Sequence, residues 1–359
     1  MKMHFGFKIL CAILLMYVAV FAFLTPLSPA LLQSDLSEIQ PGEHTFTLTG
    51  YNTHFDGAST NALYLINDST LSFPCTIEEV IDHSHLRARV TLPQEIHSKA
   101  FAFVLNNDVD GTVFLESPLK VDGFSLNSQL QPMEMPRFQQ REASFFSYPY
   151  QPIIMESIRN LMWHVPMWFT MFFLMIMSLV QSVKVLLKGQ RDGDKAAVMI
   201  DPDQVRPHDN KAAVSAAVGM VFCILGLVTG SVWARFTWGT WWTRDPQLNG
   251  ALAVFIVYAA YFILRNSIQQ EENKWKLSAI YNIFACILMF VLLMVLPRFT
   301  EGLHPGKSGN PAFSQYDLDS SLRTIFYPAT VGFILLGYWM YHIRLRILKI
   351  EQEHENLLV

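Results

Sequence analysis

Residues 213–246 read AVSAAVGMVFCILGLVTGSVWARFTWGTWWTRDP, an apolar run that leads into a segment rich in tryptophan. A helix needs about 20 apolar residues to cross the roughly 30 Å hydrocarbon core of a membrane. The first part, Ala213–Trp233, therefore predicts a transmembrane helix. The second part, residues 233–246, holds four tryptophans within ten residues, and we expect it to form a loop at one face of the membrane.

Five further apolar runs of similar length lie on either side of this stretch. They are Phe5–Leu24, Leu161–Leu187, Leu248–Leu264, Leu277–Leu296 and Phe326–Ile343. The sequence thus predicts an α-helical polytopic membrane protein with about six transmembrane helices, the first within residues 1–25 and the others within residues 161–350. Residues 25–30 also fit a signal-peptide cleavage site, but the length of the first run favours an uncleaved anchor.

The composition agrees with a lipid bilayer as the surroundings. Of the 359 residues, 51% are hydrophobic and only 16% are charged. The net charge of -4 provides no overall basic surface, which argues against nucleic acid as a partner. Three of the four cysteines lie inside predicted spans and Cys75 is alone outside them, so we expect no disulfide framework.

Lysine and arginine in the short loops predict the orientation, because translocated loops are depleted in positive charge. Fourteen of these residues fall at the termini and in alternate loops, against five in the opposite short loops. We therefore expect a multi-pass protein of the cytoplasmic membrane with both termini cytoplasmic, including the tail 351–359. The Trp-rich loop, and the loop after the fifth span, would then be extracytoplasmic.

Residues 26–128, between the first and second spans, follow a strand pattern. Alternating or β-branched runs occur at Thr45–Tyr51, Asn61–Ile66, Leu86–Leu92, Ala100–Leu105 and Thr112–Glu116, separated by turn residues. We expect an inserted extracytoplasmic all-β domain, for which a small sandwich is one form. Residues 129–160, rich in Pro, Met, Gln and aromatic residues, would be a linker to the membrane. His83 and His85 would share one face of a strand, but a zinc site needs a third ligand.

The tryptophans have two interpretations. Tryptophan collects at membrane interfaces, so the cluster is compatible with an aromatic belt. A belt needs no particular spacing, however, and Trp238, Trp241 and Trp242 surround Gly239, which would allow close backbone approach. We therefore expect a flat aromatic surface that suits a large planar apolar ligand.

Histidine placement narrows the choice of ligand. Of the eleven histidines, nine fall on the cytoplasmic side or in the β-domain, and His164 and His304 remain beside the Trp-rich loop. A lone interfacial histidine is often only a polar residue, but two beside an aromatic surface fit haem, because neutral imidazole binds haem iron. The pattern predicts transiently bound haem b with His164 and His304 as the two axial ligands.

Charged residues near the Trp-rich loop complete the predicted site. Haem propionates need cations or hydrogen-bond donors, and Arg235, Arg244 and Arg298 lie in the same outward connections. Ordinary interfacial charges would have the same pattern. Asp245 precedes the fourth span, where it can cap the helix or hold one of these arginines, and we favour the cap.

Three motifs together resemble the CcmC haem-handling proteins of cytochrome c maturation. They are His164-Val-Pro, the run Val-Thr-Gly-Ser-Val-Trp (228–233) leading into Trp-Gly-Thr-Trp-Trp-x-x-Asp (238–245), and Leu-His-x-Gly (303–306). The resemblance covers about Asn160–Ile350, with Phe5–Leu24 as the counterpart of the family's first span. It implies that His164 and His304 are the external axial haem ligands and that Trp238, Trp241, Trp242 and Asp245 belong to the WWD-domain signature.

The resemblance also implies a function. A CcmC-like protein is a non-enzymatic haem chaperone that presents haem to a CcmE-like carrier, beside CcmA/CcmB-like transporter subunits. The chain departs from the family pattern after the Trp pair, where Arg244 replaces a tryptophan and Gln247 replaces an arginine. The β-domain is foreign to the typical member of the family.

Other functions remain open from the sequence. A CcsA-type cytochrome c synthetase component shares the Trp-rich motif but uses more spans and intramembrane histidines. A transporter membrane subunit with an external receptor domain would need polar groups or broken helices near the midplane of the membrane. A structural adaptor would need only one span. No nucleophile–base pair or phosphate-binding loop occurs in the loops, so we expect no enzyme.

Overall fold

The computed structural model describes residues 5–67, 71–96, 101–115, 119–126, 146–189, 202–304 and 318–358. It divides into two compact units, of which one comprises Met1–Leu24 and Glu156–Val359 and the other Thr25–Met155. The first unit is helical and the second is built from strands.

The described part of the helical unit contains six α-helices. They are α1 (Phe5–Leu24), α2 (Leu161–Gly189), α3 (Pro202–Trp238), α4 (Pro246–Ser267), α5 (Glu271–Phe290) and α6 (Ser320–Leu358). A 3-10 helix, Met155–Asn160, precedes α2. After α5 the chain continues through a π-helical turn, Val291–Val295, and a 3-10 turn, Leu296–Arg298.

In the part of the chain that the structure describes, five helical segments are long and apolar enough to cross a membrane. They are Phe5–Leu24, Met155–Gly189, Pro202–Trp238, Pro246–Ser267 and Glu271–Arg298. Large apolar side chains such as Ile13, Ile263 and Phe284 are exposed on them, as expected for surfaces that face lipid. The chain is a multi-pass membrane protein. The sixth predicted span lies in α6, which is not among these five segments, so a sixth crossing stays a prediction.

Helix α3 continues past the predicted span and includes the first six residues of the segment 233–246. No glycine or proline occurs between Trp233 and Gly239, and the φ of +77° at Gly239 ends the helix in the left-handed conformation. No other residue comes within 4 Å of the place where a Cβ would be at Gly239. The turn requires a glycine here, and the expectation that it permits close backbone approach to a ligand stays a prediction.

Helices α2 and α3 pack closely through glycines of α3. A Cβ at Gly226 would lie 2.8 Å from the indole of Trp168, and one at Gly230 would lie 2.7 Å from the imidazole of His164. Small residues at such positions allow two membrane helices to approach. The glycines thus bring two ring side chains of α2 against the backbone of α3.

The β unit contains eleven strands within its described residues. They are β1 (Ala30–Ser34), β2 (Glu38–Ile39), β3 (Gly42–Tyr51), β4 (Asn61–Asn67), β5 (Leu71–Val80), β6 (His85–Leu92), β7 (Glu95–Ile96), β8 (Ala102–Asn107), β9 (Gly111–Phe114), β10 (Lys120–Val121) and β11 (Ser125–Leu126). Seven of them form one antiparallel sheet in the order β1-β3-β6-β5-β4-β8-β9. A bridge between Leu31 and Leu115 nearly closes this sheet around the buried core.

The all-β prediction is confirmed, but the two-layered sandwich is not, because one sheet curls on itself. The sequence also missed β5, which contains Pro74 opposite Tyr64 of β4. Proline lacks a backbone N–H and is uncommon inside a sheet, so its presence argued against a strand there.

The predicted linker is divided between the two units, because its residues up to Met155 belong to the β unit and those from Glu156 to the helical unit. Part of the range 129–160 lies outside the described residues. Tyr148, however, is fully buried; its N–H donates to the carbonyl of Pro26 at 2.8 Å, and its carbonyl accepts from Ser28 N–H at 2.7 Å. The two ends of the β unit are therefore adjacent.

Candidate functional site

His304 is held by a buried carboxylate. Its Nδ1 atom lies 2.8 Å from Oδ1 of Asp245, and the N–H of Leu303 donates to Oδ2 at 2.7 Å. The Asp245 side chain is 0% exposed and that of His304 is 20% exposed. Because a carboxylate only accepts, Nδ1 of His304 carries a proton, and Nε2 of the neutral ring keeps its lone pair. A carboxylate in this position is the usual orienting partner of a metal-binding histidine.

Asp245 also caps α4, as the sequence predicted. Its Oδ1 accepts from the backbone N–H groups of Gln247 at 2.8 Å and Leu248 at 3.2 Å. Burial alone would raise the pKa of Asp245, but the hydrogen bond from His304 and those from the backbone outweigh it, and the pKa lies well below its usual value. Among the described residues, the side-chain partner of Asp245 is His304 and not an arginine.

His164, in the first turn of α2, makes two side-chain hydrogen bonds. Its Nδ1 lies 3.0 Å from Oγ1 of Thr229, and Nε1 of Trp168 donates to its Nε2 at 3.3 Å. The hydroxyl proton of Thr229 is directed to the carbonyl of Leu225, 2.8 Å away. The hydroxyl therefore accepts from Nδ1, and His164 has the same tautomer as His304.

Aromatic rings surround both histidines. Trp238 meets His304 edge-on, with 5.2 Å between ring centroids. Trp233 meets His164 edge-on at 5.7 Å, and its Nε1 donates to Ser157 Oγ at 3.1 Å. The two predicted ligands are thus within electrostatic range of each other, and each lies edge-on to a tryptophan.

The rest of the Trp-rich segment lies on the surface. Trp241 is 59% exposed and Trp242 is 37% exposed. The carbonyl of Trp241 accepts from Ser231 Oγ at 2.9 Å. Trp242 Nε1 donates to Asn249 Oδ1 at 3.1 Å. Two indoles therefore offer apolar faces outside the helical core.

In the described part of the chain, the three arginines predicted to contact the haem propionates have fewer contacts than the two histidines. Arg235 donates to the carbonyl of Gly239, so it fastens the end of α3. Arg244 and Arg298 are exposed. Their role as partners of the haem propionates stays a prediction.

Sequence analysis missed Trp168, Thr229 and Trp233 as neighbours of His164. A partial signal existed for Trp168, because residues four apart share a helix face. The contacts of Thr229 and Trp233 depend on how α2 packs on α3, which the sequence does not specify.

Comparison with known proteins decides the family. The family described as "Cytochrome C assembly protein" matches residues 1–304, a range that contains both histidines and the Trp-rich segment. The chain belongs to the cytochrome c assembly family.

Curated relatives of the chain include proteins named heme exporter protein C and cytochrome c biogenesis protein CcsA. Heme exporter protein C of Paracoccus denitrificans is 29% identical over 143 residues, which are 39% of this chain and 59% of that protein. Heme exporter protein C of Haemophilus influenzae is 28% identical over 159 residues, 42% of this chain and 61% of that protein. Cytochrome c biogenesis protein CcsA of Prochlorococcus marinus subsp. pastoris is 36% identical over 77 residues, 21% of this chain and 24% of that protein.

These comparisons confirm the resemblance to CcmC-like haem-handling proteins. The chain spans about 60% of the length of the two heme exporter proteins. The matches do not account for the inserted β unit.

Proposed function

We propose that the chain is a haem-binding membrane chaperone of cytochrome c biogenesis. It holds haem b transiently at the outer face of the cytoplasmic membrane and passes it to a CcmE-like carrier, beside CcmA/CcmB-like transporter subunits. In this proposal the chain crosses the membrane six times, both termini are cytoplasmic, and the β unit is extracytoplasmic. Haem is cargo, and the chain catalyses no chemical step.

One observation carries the proposal. Two imidazoles, one in the first turn of α2 and one in the chain after α5, are within electrostatic range of each other, and each donates through Nδ1, to Asp245 in one case and Thr229 in the other. Each neutral ring therefore has its Nε2 lone pair as the atom for iron. This donor set fits haem, which accepts two axial imidazoles and offers wide apolar faces to tryptophan.

The residues have distinct tasks in the proposed site. His164 and His304 would bind the haem iron as its two axial ligands. Asp245 fixes the ring of His304 and, being ionised, strengthens Nε2 as a ligand. Trp238, Trp241 and Trp242 would contact the porphyrin, and Arg235 and Arg244 would neutralise its propionates.

The experiment that tests the proposal is a haem titration of the detergent-purified full chain. The wild type is expected to give a Soret spectrum typical of two axial histidines, and the variant His164→Ala/His304→Ala is expected to lose it. The matched control is His54→Ala, in the β unit, which should bind haem as the wild type does. Equal haem binding by the wild type and the double variant would refute the assignment.

A further inference from the structure

The lone pair of His164 that would bind iron is already occupied. An indole N–H can only donate, so the 3.3 Å contact from Trp168 Nε1 uses the Nε2 lone pair of His164 as its acceptor. A single lone pair cannot accept this hydrogen bond and bind a metal at the same time. The other ring nitrogen is engaged with Thr229.

The indole of Trp168 is seated firmly in this position. Its five-membered and six-membered rings lie against Gly226, where a Cβ would come within 2.8 Å of the ring. The planes of the indole and of the His164 ring are nearly perpendicular, at 81°, with centroids 6.1 Å apart. Trp168 is one helical turn from His164, so the two side chains lie on the same face of α2.

His304 differs from His164 in this respect. Among the described residues, its Nε2 has no hydrogen-bond partner, whereas its Nδ1 is held by Asp245. Within the described residues, Nε2 of one proposed ligand is therefore without a hydrogen bond, and Nε2 of the other is capped.

We propose that Trp168 is a displaceable cap on His164, so that iron binds His304 first and His164 only after the indole N–H has left Nε2. This inference rests on the proposed function. Trp168 is a positioning residue in this scheme, because it acts through His164. The cap lowers the affinity for haem. Weaker binding makes it easier for the chain to release haem to a carrier.

The test uses Trp168→Phe, which keeps a ring but removes the N–H. Loss of one competing hydrogen bond is expected to raise haem affinity by roughly two- to tenfold. In the His164→Ala background the same substitution should have no effect, because there is no Nε2 left to uncover. The matched control is Trp163→Phe, since the Nε1 atom of Trp163 is buried without a hydrogen-bond partner in the described structure.

A second measurement needs no haem. In the haem-free full chain, carbethoxylation of histidines by diethylpyrocarbonate, followed by mass spectrometry, should modify His304 faster than His164. Trp168→Phe should raise the carbethoxylation rate of His164 by about twofold or more, the effect of losing one hydrogen bond. The rate of His304 should not change. The proposal is overturned if His164 of the wild type reacts as fast as His304, or if Trp168→Phe leaves both its reactivity and the haem affinity unchanged. A wild type that binds no haem would refute the proposed function, while the carbethoxylation result still decides the role of Trp168.

Discussion

Each unit of the molecule contains a histidine clamped by a buried aspartate. In the helical unit, His304 Nδ1 and Asp245 Oδ1 are 2.8 Å apart. In the β unit, His54 Nδ1 and Asp110 Oδ1 are also 2.8 Å apart, and Asp110 further accepts from the backbone N–H of His54 at 2.8 Å. Both carboxylates are inaccessible, with side-chain exposures of 0% and 1%. Locally the two pairs are nearly identical.

Their surroundings differ. The imidazole of His304 meets the ring of Trp238 and is in electrostatic range of a second imidazole. The side chain of His54 is 53% exposed and borders an open cavity of about 460 Å³. The His83 and Ser84 residues border the same cavity, and no group of three or more metal-ligating side chains is found in the described part of the chain. In both units an aspartate thus orients an imidazole, and the two pairs differ in what surrounds the ring.

The largest effect is expected from His304→Ala. Loss of a residue that orients a metal ligand lowers affinity by roughly 10- to 100-fold. Removal of the axial ligand itself should lower haem affinity by more than that. His54→Ala is the matched change in the other pair and should leave the affinity unchanged. The measurement is a Soret titration of both variants. If the two variants bind haem alike, the distinction between the pairs fails.

Asp245→Asn is expected to have the next largest effect. Asparagine still caps α4, but it no longer holds His304 with a charge, so haem affinity should fall by roughly 10- to 100-fold. Asp110→Asn should not change haem affinity, because its partner is His54. A circular dichroism melt of each variant checks that a loss of binding is not a loss of fold. Undiminished binding in the Asp245→Asn variant would show that the carboxylate does not support the ligand.

A smaller effect is expected at the other ligand. Thr229→Val removes the acceptor of His164 Nδ1 while keeping the side-chain shape, and Thr229→Ser restores a hydroxyl. Haem affinity should fall by roughly two- to tenfold in the valine variant, the range for one hydrogen bond, and recover in the serine variant. A valine variant that equals the wild type would mean that the hydroxyl does not orient His164.

The pH dependence should separate Asp245 from other carboxylates. The pKa of Asp245 is lower in the folded chain than its ordinary value, through its hydrogen bonds with His304 and the backbone. Such a group stabilises the fold above its unfolded pKa of about 3.9, and this contribution is lost as the pH falls toward the folded pKa. Thermal unfolding between about pH 5 and pH 2 should therefore show a steeper loss of stability on acidification in the wild type than in Asp245→Asn. Parallel curves would contradict this assignment.

The sequence predicted the elements better than the contacts. The first span, Phe5–Leu24, coincides with α1 because apolar length alone defines it. The Asp245 cap was predicted because capping is local, but the bond from Asp245 to His304 joins residues 59 positions apart. Local sequence patterns do not relate residues so far apart along the chain. The pairing appears only when the turn after α3 and the chain after α5 meet at the start of α4.

The β unit shows a different limit. Alternation predicted five of the seven strands of its main sheet, at least in part. It missed β1 and β5, and β5 contains Pro74. The closure of the sheet depends on Leu31 and Leu115 meeting across the two edges. Strand periodicity predicts on which face of the sheet each side chain lies. It does not predict which sheet edges meet.

The meeting of Pro26, Ser28 and Tyr148 has an evolutionary consequence. A module whose entry and exit are hydrogen-bonded neighbours can be acquired or discarded as one piece, since a short peptide can span the gap that it leaves. Replacement of residues 29–147 by a brief glycine–serine bridge would then yield a minimal chain of the same helices. Such a chain offers a direct way to learn what the β unit adds.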